Sequence, residues 1–255
     1  MQLKDNKLSI IATDLDIIFC DEITDVQVIK TGSTTTSAAI LYDILRKISS
    51  NSELNFELKS ENKLSLKSEN ADFNLLCLPT DNFPTFADEF EGQEINLNNI
   101  RFLKLLNKTR VSISNDDTRH YLNGIFLHLT EAHGRNFLTG VATDSHRLSS
   151  SSLEIESATD FASLILPKKT VFQLCALLAE TNDQLTMQTS DNKIKFTIGY
   201  MKLISKVIDG KFPDYKKVVP KTNDKTLIVS SKDFINSIER VASVSLDRKE
   251  GVKLI

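Results

Sequence analysis

An internal repeat of about 130 residues constrains the fold of this chain more than any other sequence feature. Three segments recur in the same order: Ala12-Thr13-Asp14 as Ala142-Thr143-Asp144 at an offset of 130, Ser60-Glu61-Asn62-Lys63 as Ser190-Asp191-Asn192-Lys193 at 130, and Phe83-Pro84 as Phe212-Pro213 at 129. Three ordered matches at a nearly constant offset indicate a duplicated domain. We therefore expect two related units of about 130 residues each.

The composition is that of a soluble globular protein. The 255 residues are 40% hydrophobic and 25% charged, and this length accommodates two domains of the repeat size. No apolar run approaches the roughly 20 residues that span a bilayer, and residues 1–5 do not begin a signal peptide. We expect a cytoplasmic protein.

The cysteines and the net charge narrow the function classes. Cys20, Cys77 and Cys175 are odd in number, widely spaced and set among apolar residues, which favours reduced thiols over a zinc site or a disulfide framework. The net charge of −3 argues against a simple basic nucleic-acid binder, although it does not exclude a one-sided distribution of charge. No cofactor is expected.

Hydrophobic periodicity predicts an α+β fold in the first copy. Apolar residues at helical spacing, followed by Arg46 and Lys47, predict a helix over 37–48. Alternating patterns predict strands, two within 7–19 around Thr13-Asp14 and three near 54–58, 64–66 and 73–75.

The second copy shows the same pattern, preceded by additional predicted elements on its N-terminal side. We predict a strand at 95–97 and a helix over 98–108, then a strand pair, a helix over 167–180 and three further strands. The helix over 98–108 has a predicted buried stripe of Ile100, Phe102, Leu103 and Leu106. Its predicted basic stripe is Arg101, Lys104 and Lys108. Each copy is thus interpreted as α+β with antiparallel sheets.

The ends of the chain do not match complete copies. About 36 residues of the second copy's front have no counterpart before Ala12, and residues 226–229, 234–242 and 251–255 resemble the opening of a further copy. We therefore expect domains over 1–91, 92–222 and 223–255, with the first lacking its front and the third cut short.

Four motifs carry a family resemblance: Arg119-His120-Tyr121-Leu122-Asn123-Gly124, Val141-Ala142-Thr143-Asp144-Ser145-His146-Arg147-Leu148, Pro167-Lys168-Lys169, and the segment 207–220 with its Phe212-Pro213-Asp214 core. Together they resemble the bacterial beta sliding clamp, the processivity subunit of the replicative DNA polymerase. The resemblance implies a non-catalytic head-to-tail homodimeric ring around duplex DNA, with two helices of each domain lining the hole and antiparallel sheets outside.

The resemblance also implies partners and a peptide pocket. Polymerase subunits, the clamp loader and repair proteins would dock short peptides, while DNA would be held without reading its sequence. The implied pocket residues are Leu122, Thr143, His146, Arg147, Leu148, Pro213, Lys217 and Val218. Ser145 stands where the family often has glycine, and Lys249 aligns with an apolar pocket position.

Sliding on DNA requires diffuse positive charge that faces phosphates, without base-specific contacts. The candidate DNA-facing residues are Arg46, Lys47, Arg101, Lys104, Lys108, Arg119, His120, Tyr121, Lys168 and Lys169. Alternatively, these residues simply lie on ordinary solvated faces of the protein. His120 replaces an aromatic residue that is more usual in the family.

The dimer interface implied by the resemblance includes Phe73, Leu75 and Val244. Because the chain contains only the start of a third domain, we expect the complete family member to be a homodimer but this chain to form no closed ring. Its DNA binding should then be weak and salt-sensitive.

A different class of function remains open from the residues alone. Asp144 and His146 could form an acid/base pair or ligate a metal in a small hydrolase or metal enzyme. The enzymatic signal is weak, since no nucleophile motif or glycine-rich phosphate loop accompanies it, and the same segment could be a polar turn that satisfies its own hydrogen bonds.

Overall fold

The computed structural model describes residues 1–68, 71–84, 90, 92, 94–156, 161–244 and 251–254. It divides into two compact units, Met1–Phe212 and Pro213–Ile255. The strands of the first unit are β1 Gln2–Lys4, β2 Lys7–Thr13, β3 Ile17–Ile23, β4 Gly32–Ser33, β5 Asn55–Ser60, β6 Lys63–Ser68, β7 Ala71–Leu76, β8 Glu94–Leu97, β9 Gly124–Ala132, β10 Arg135–Thr143, β11 Leu148–Ile155, β12 Leu164–Pro167, β13 Leu185–Thr189, β14 Lys193–Ile198 and β15 Met201–Lys206. Its α-helices are α1 Ala38–Leu45, α2 Asn99–Thr109 and α3 Lys168–Glu180.

The element order confirms the predicted repeat. The run β1-β2-β3-β4-α1-β5-β6-β7 recurs as β9-β10-β11-β12-α3-β13-β14-β15. The hairpins agree in register as well, because Thr13 pairs with Ile18 in the first copy and Thr143 pairs with Leu148 in the second. The second copy additionally has β8 and α2 at its front.

A backbone ladder joins the two copies. The largest sheet has the order β4-β1-β2-β3-β15-β14-β13-β8, so β3 of copy one lies beside β15 of copy two. Cys20 pairs with Lys202 and Ile18 with Ile204 across this join. Two smaller antiparallel sheets, β11-β10-β9-β12 and β5-β6-β7, complete the unit, so β11 and β7 lie at sheet edges.

The main core lies in copy two, under α2 and α3. Phe102 and Leu105 of α2 and Leu174 of α3 are at most 1% exposed, and the Phe102 and Phe196 rings lie 5.9 Å apart. A Cβ at Gly140 of β10 would lie 2.6 Å from Leu105 Cδ2, so the absent side chain lets α2 pack this closely.

The predicted stripe of α2 is partly wrong. Ile100 is 67% exposed and Leu103 is only half-buried, whereas Leu105, which was not in the stripe, is buried. Apolar residues occur on most sides of this helix. Periodicity therefore could not decide which of them faces the sheet.

Copy one has a smaller core. Leu64, Leu75 and Cys77 form its buried cluster, with Leu41 and Ile44 of α1 partly buried against it. No residue of α1 itself is buried, although α1 occupies the place that α3 has in copy two.

The second unit contains one regular α-helix among its described residues, α4 over Ser231–Ala242. It lies close to the predicted range of 234–242. Residues 226–229, which resemble the opening of a further copy, form no regular element, and Lys249 lies outside the described residues. Across the described part of the chain, no helix combines the length and apolarity that a bilayer crossing needs. The three cysteines are thiols as predicted, with Cys77 and Cys175 buried and Cys20 half-buried.

Candidate functional site

The 143–148 turn between β10 and β11 is built by its own hydrogen bonds. Thr143 Oγ1 donates to the Arg147 carbonyl at 2.8 Å and accepts from Ser145 N at 3.2 Å. Asp144 Oδ1 accepts from the backbone nitrogens of His146 and Arg147, both at 3.0 Å. Ser145 has a φ of 76°, in the left-handed region that favours glycine.

The 13–18 turn between β2 and β3 repeats this arrangement. Thr13 Oγ1 donates to the Ile17 carbonyl at 2.9 Å and accepts from Leu15 N at 2.9 Å. Asp14 Oδ1 accepts from Asp16 N at 3.1 Å and Ile17 N at 2.9 Å, and the φ of Leu15 is 77°. The Thr-Asp pair is therefore a structural device that both copies use.

This geometry removes the basis for an acid/base or metal site at Asp144. Its Oδ1 is held by the turn and its Oδ2 accepts from Arg147 Nε at 3.0 Å. Burial raises the pKa of Asp144, but the backbone N–H groups of Arg147 and His146 and the Arg147 side chain outweigh it, so the pKa lies below its usual value. His146 corresponds to Asp16 in copy one, so no acid/base pair is repeated. No group of three potential metal ligands occurs among the described residues.

Arg119 ties the turn to the segment that carries Leu122. Its Nη1 donates to Ser145 Oγ at 2.6 Å, and its Nε donates to Asp116 Oδ2 at 2.9 Å. Leu122 ends the 3₁₀ helix Asp117–Leu122 and is 2% exposed. The serine that replaces a common family glycine thus gains a hydrogen bond in this chain. Arg119, expected to face DNA, is occupied in holding the turn.

The predicted pocket residues divide between the two units. Leu122, Thr143, His146, Arg147 and Leu148 belong to the first unit, where Thr143 and Leu148 are half-buried and His146 and Arg147 are exposed. Pro213, Lys217 and Val218 belong to the second unit, and all three are exposed. Lys217 Nζ lies 3.2 Å from Asp214 Oδ2.

An aromatic stack anchors the end of the first unit. The Phe212 ring stacks on Phe126 at 4.9 Å with an interplanar angle of 4°, and the Phe126 ring lies 4.8 Å from that of His128. Phe212 immediately precedes Pro213, so this stack fixes the residue at which the first unit ends and the predicted pocket segment begins. Sequence reasoning missed Phe126, although the repeated Phe-Pro dipeptides pointed to a structural role for Phe212.

The basic stripe of α2 is exposed. Arg101, Lys104 and Lys108 are all exposed, whereas Phe102 and Leu105 of the same helix are buried. The α2 helix begins after Asn98, whose side chain caps it by accepting from Arg101 N at 3.0 Å. This stripe is the clearest concentration of positive charge that the sequence predicted. Elsewhere, Lys47 is exposed, and Arg46 pairs with Asp43 at 3.1 Å.

Two other predicted DNA-facing lysines have partners within the chain. Lys168 Nζ donates to Asn115 Oδ1, and Lys169 Nζ donates to Asp14 Oδ2 of copy one. The Lys169 ammonium and the Ile17 backbone N–H hold the pKa of Asp14 at about 2, and Asp14 raises the pKa of Lys169. Lys169 therefore joins the 13–18 turn of copy one to α3 of copy two.

A cavity of about 620 Å³ lies at the start of α3. Its lining includes His120 and both lysines, Lys168 and Lys169, together with Phe172. The neighbouring Tyr121 ring is in edge contact with His120 at 5.9 Å. The structure thus brings His120 of the 119–121 segment close to the start of α3.

The predicted dimer residues lie in different settings. Phe73 is half-buried on the edge strand β7, while Leu75 on the same strand is 6% exposed in the small core of copy one. Val244 of the second unit is 81% exposed. Since β15, the counterpart of β7, pairs with β3, the β7 edge repeats a strand that is joined to a neighbouring copy in the other half.

Comparisons with known proteins identify both copies. Residues 1–87 match the family model of the DNA polymerase III beta subunit, N-terminal domain, and residues 96–214 match its central domain. The beta sliding clamp of Caulobacter vibrioides is 34% identical over 251 residues, which are 98% of this chain and 67% of that protein. The beta sliding clamp of Escherichia coli K12 is 33% identical over 254 residues, covering 100% of this chain and 68% of that protein.

Solved structures agree with the sequence comparison. A crystal structure of the Caulobacter crescentus beta sliding clamp superposes with a TM-score of 0.92 at 33% identity, covering 97% of this chain and 66% of that one. The sliding clamp of Bartonella birtlesii bound to griselimycin gives a TM-score of 0.91 at 36% identity, with the same coverage. The chain therefore spans about two thirds of the length of these relatives. It belongs to the family of bacterial beta sliding clamps, the beta subunits of DNA polymerase III.

Proposed function

We propose that the chain acts in a non-catalytic DNA sliding clamp, which tethers the replicative DNA polymerase and other replication and repair proteins to duplex DNA. The observation that carries this proposal is the match of both copies to beta subunit domains, in a fold whose helix α2 exposes a basic stripe. We assign clamp domain one to 1–91, domain two to 92–222 and the start of domain three to 223–255.

The charge distribution supports contact with phosphates. Arg101, Lys104 and Lys108 are exposed on one side of α2 while the chain as a whole carries −3, so positive charge is concentrated locally. Arg46, Lys47 and the basic groups at the start of α3 would extend the contact. Such flexible, exposed cations neutralise phosphates without reading bases, as sliding requires.

The 143–148 turn supports peptide docking. Its backbone is fixed by Thr143 and Asp144, so the half-buried Leu148 is presented from a rigid turn near the edge of a sheet. In the proposed pocket, Leu122, Leu148, Pro213 and Val218 receive apolar peptide side chains, with Thr143, His146, Arg147 and Lys217 at the rim. Two relatives have been solved with bound molecules, one with polyethylene glycol at a putative beta-motif tethering region and the other with griselimycin.

The complete assembly is proposed to be a homodimeric ring that a clamp loader places on DNA. The exposed edge of β7, with Phe73 and Leu75, would pair with the third domain of the partner, and Val244 would contribute from the third domain's side. This proposal is supported by a pairing within the chain itself, because the equivalent strand β15 pairs edge to edge with β3.

The proposed contact with DNA is tested by reversing the charge of the basic stripe on α2. The triple variant Arg101→Glu, Lys104→Glu, Lys108→Glu should weaken binding to a 30-base-pair duplex. The slope of log K against log salt should also fall by about 1 for each phosphate that the variant no longer neutralises. Fluorescence anisotropy between low and moderate salt measures both quantities.

The matched control changes three lysines of the β5-β6 hairpin to glutamate, Lys59, Lys63 and Lys67, which are exposed and give the same change in net charge. This control should retain most of the affinity. Equal loss in the two triple variants would mean that α2 has no special contact with DNA.

The peptide proposal is tested by calorimetry with a short apolar peptide. Leu148→Asp should weaken binding at least about tenfold, because burying one leucine or phenylalanine anchor is worth roughly 1.5 to 3 kcal/mol. Val218→Asp should have a similar effect. Affinity that is unchanged in both folded variants would show that the peptide docks elsewhere.

A further inference from the structure

We propose that the join between copies one and two carries a second site for short apolar peptides, the counterpart of the pocket around Leu148. This inference rests on the proposed peptide-docking function, since it extends that function to another position in the repeat. The site is a cavity of about 640 Å³ within the first unit, called here the junction cavity. Copy one supplies most of its lining, from β1 to β4, α1 and residues 80, 83 and 84, and copy two supplies Tyr200, Lys202 and Ile204.

Strand register places the apolar lining on one face of the large sheet. Ile11 pairs with Cys20, which in turn pairs with Lys202, and Ile18 pairs with Ile204. Directly paired residues of antiparallel strands share a face. All five of these residues line the junction cavity. The cavity therefore reaches across the seam, with its larger part in copy one and Lys202 and Ile204 of copy two on the other side.

The repeat relates this cavity to the proposed pocket. Leu148 corresponds to Ile18 at an offset of 130, and Pro213 corresponds to Pro84 at 129. Both counterparts, Ile18 and Pro84, line the junction cavity. Each site thus combines the residue just after a Thr-Asp turn with the proline that follows a repeated phenylalanine.

The chemistry of the lining favours a short peptide with branched aliphatic and aromatic side chains. Ile11, Ile18, Phe83 and Ile204 supply apolar walls, and threonines 34, 35 and 80 supply hydroxyl groups. Ile11 is 39% exposed, so its side chain remains in contact with solvent. The volume lies within the range of about 300 to 1,000 Å³ that is typical of small-ligand sites.

The lining carries charges of both signs. Glu22 is close enough to Lys202 for an electrostatic interaction and also accepts from Lys7 Nζ at 2.9 Å, and Asp21 is a further acidic residue of the lining. Both Glu22 and Lys202 belong to the lining. A charged anchor would gain little here, whereas an uncharged side chain avoids the desolvation cost of a new charge.

The first test counts the sites on the full 255-residue chain. The probe is a blocked pentapeptide with two leucines and a C-terminal phenylalanine, separated by serines, and its control replaces those three residues with alanine. Calorimetry should find two sites on the unaltered chain. Ile11→Asp should remove one site, weakening it at least tenfold, and Leu148→Asp should remove the other.

A matched variant controls for a charge placed on the same sheet. Ile23→Asp changes a residue that is 40% exposed, close to the 39% of Ile11, but Ile23 lies on the other sheet face and does not line the cavity. It should leave both sites intact. Circular dichroism confirms that each variant is folded.

Cys20 supplies an independent readout. It lines the junction cavity and is half-buried, whereas Cys77 and Cys175 are only 4% and 6% exposed. Alkylation by N-ethylmaleimide, followed by intact mass, should therefore modify Cys20 first. The leucine-phenylalanine peptide at ten times its dissociation constant should slow this modification about tenfold, because only about a tenth of the sites remain empty.

The outcomes separate this proposal from the preceding one. A single site that Leu148→Asp removes, with Cys20 alkylation unaffected by peptide, would overturn the junction site and leave the pocket proposal intact. Binding that survives both Leu148→Asp and Ile11→Asp would overturn both proposals. Protection of Cys20 that grows with protein concentration in the absence of peptide would assign the cavity to a second copy of the chain, and would also overturn the junction site.

Discussion

Copies one and two share an order of strands but differ in how much of it they bury. In copy two, Leu174 of α3 is completely buried in the main core, while the corresponding residue of copy one, Ile44, is only partly buried. Gly140, which admits α2 at close range, corresponds to Ile10 in copy one. The difference shows that strand topology alone does not create a core. A covering helix is needed to remove the same sheet face from water.

The two Thr-Asp turns have the same backbone conformation, but the side chains that follow the Thr-Asp pair differ. Thr and Asp make equivalent hydrogen bonds in both turns. The three residues that follow are Leu15, Asp16 and Ile17 in one copy, and serine, histidine and arginine in the other. A fixed backbone has therefore allowed the variable positions to acquire different contacts.

The largest expected effect separates the two cores. Leu174→Ala should lower the free energy of unfolding by about 2 to 5 kcal/mol, because it leaves a cavity in a fully buried site. Ile44→Ala should cost less than about 1.5 kcal/mol, since its side chain is already partly solvated. Urea unfolding combined with hydrogen exchange of α3 and α1 measures each loss in its own copy. Equal costs would mean that α1 is as well packed as α3.

A smaller effect distinguishes the two turns at their left-handed residues. Leu15→Gly should stabilise the chain by about 0.5 to 1 kcal/mol, because glycine relieves the positive φ at a residue that is 62% exposed. Ser145→Gly relieves the same strain but loses the hydrogen bond from Arg119, so its net gain should be near zero.

Thermal unfolding of the two single glycine variants makes this comparison. The double variant Arg119→Ala/Ser145→Gly is compared with Arg119→Ala alone. In the Arg119→Ala background there is no hydrogen bond to lose, so the glycine should stabilise as it does at position 15. A destabilising effect of Leu15→Gly would show that Leu15 makes contacts that offset its strain.

The smallest expected effect concerns the ion pair between the copies. The Lys169 ammonium and the Ile17 N–H keep the pKa of Asp14 at about 2, below its ordinary value of 3.8. A depressed folded pKa contributes stability above the unfolded value, and this stability is lost as the pH falls from about 4 through 2. Both side chains are more than a third exposed, so solvent screening limits the contribution to less than about 1 kcal/mol.

Carboxyl NMR titration in the unaltered chain and in Lys169→Ala measures this coupling directly. The pKa of Asp14 should rise in the variant, while that of Asp144, whose partners are Arg147 and His146, should not change. An unchanged pKa of Asp14 would remove Lys169 as the main cause of its depression.

The sequence predicted the features that depend on local pattern. The repeat, the helices and the hairpin at Thr13-Asp14 follow from spacing, and the reduced state of the cysteines follows from their neighbours. Strand β11 was not predicted, because Ser149 to Ser152 give no alternation of apolar and polar residues. It forms because β10 offers it a complete backbone ladder.

The candidate site was less predictable, because it depends on long-range partners. Nothing in the sequence pairs Arg119 with Ser145, Lys169 with Asp14 or Phe126 with Phe212. Each contact arises from segments that are distant in sequence and meet only in the folded chain. The burial of Leu105 instead of Ile100 has the same origin, since the sheet beneath α2 selects which apolar residues turn inward.

The join between β3 and β15 consists of hydrogen bonds between backbone groups. The ladder bonds do not depend on which side chains the strands carry, although proline is excluded wherever a ladder N–H is needed. Packing constrains the buried seam residues Ile18, Leu203 and Ile204, whereas a half-buried position such as Cys20 is less restricted. The two copies therefore remain mechanically continuous through their backbones even where their side chains have diverged.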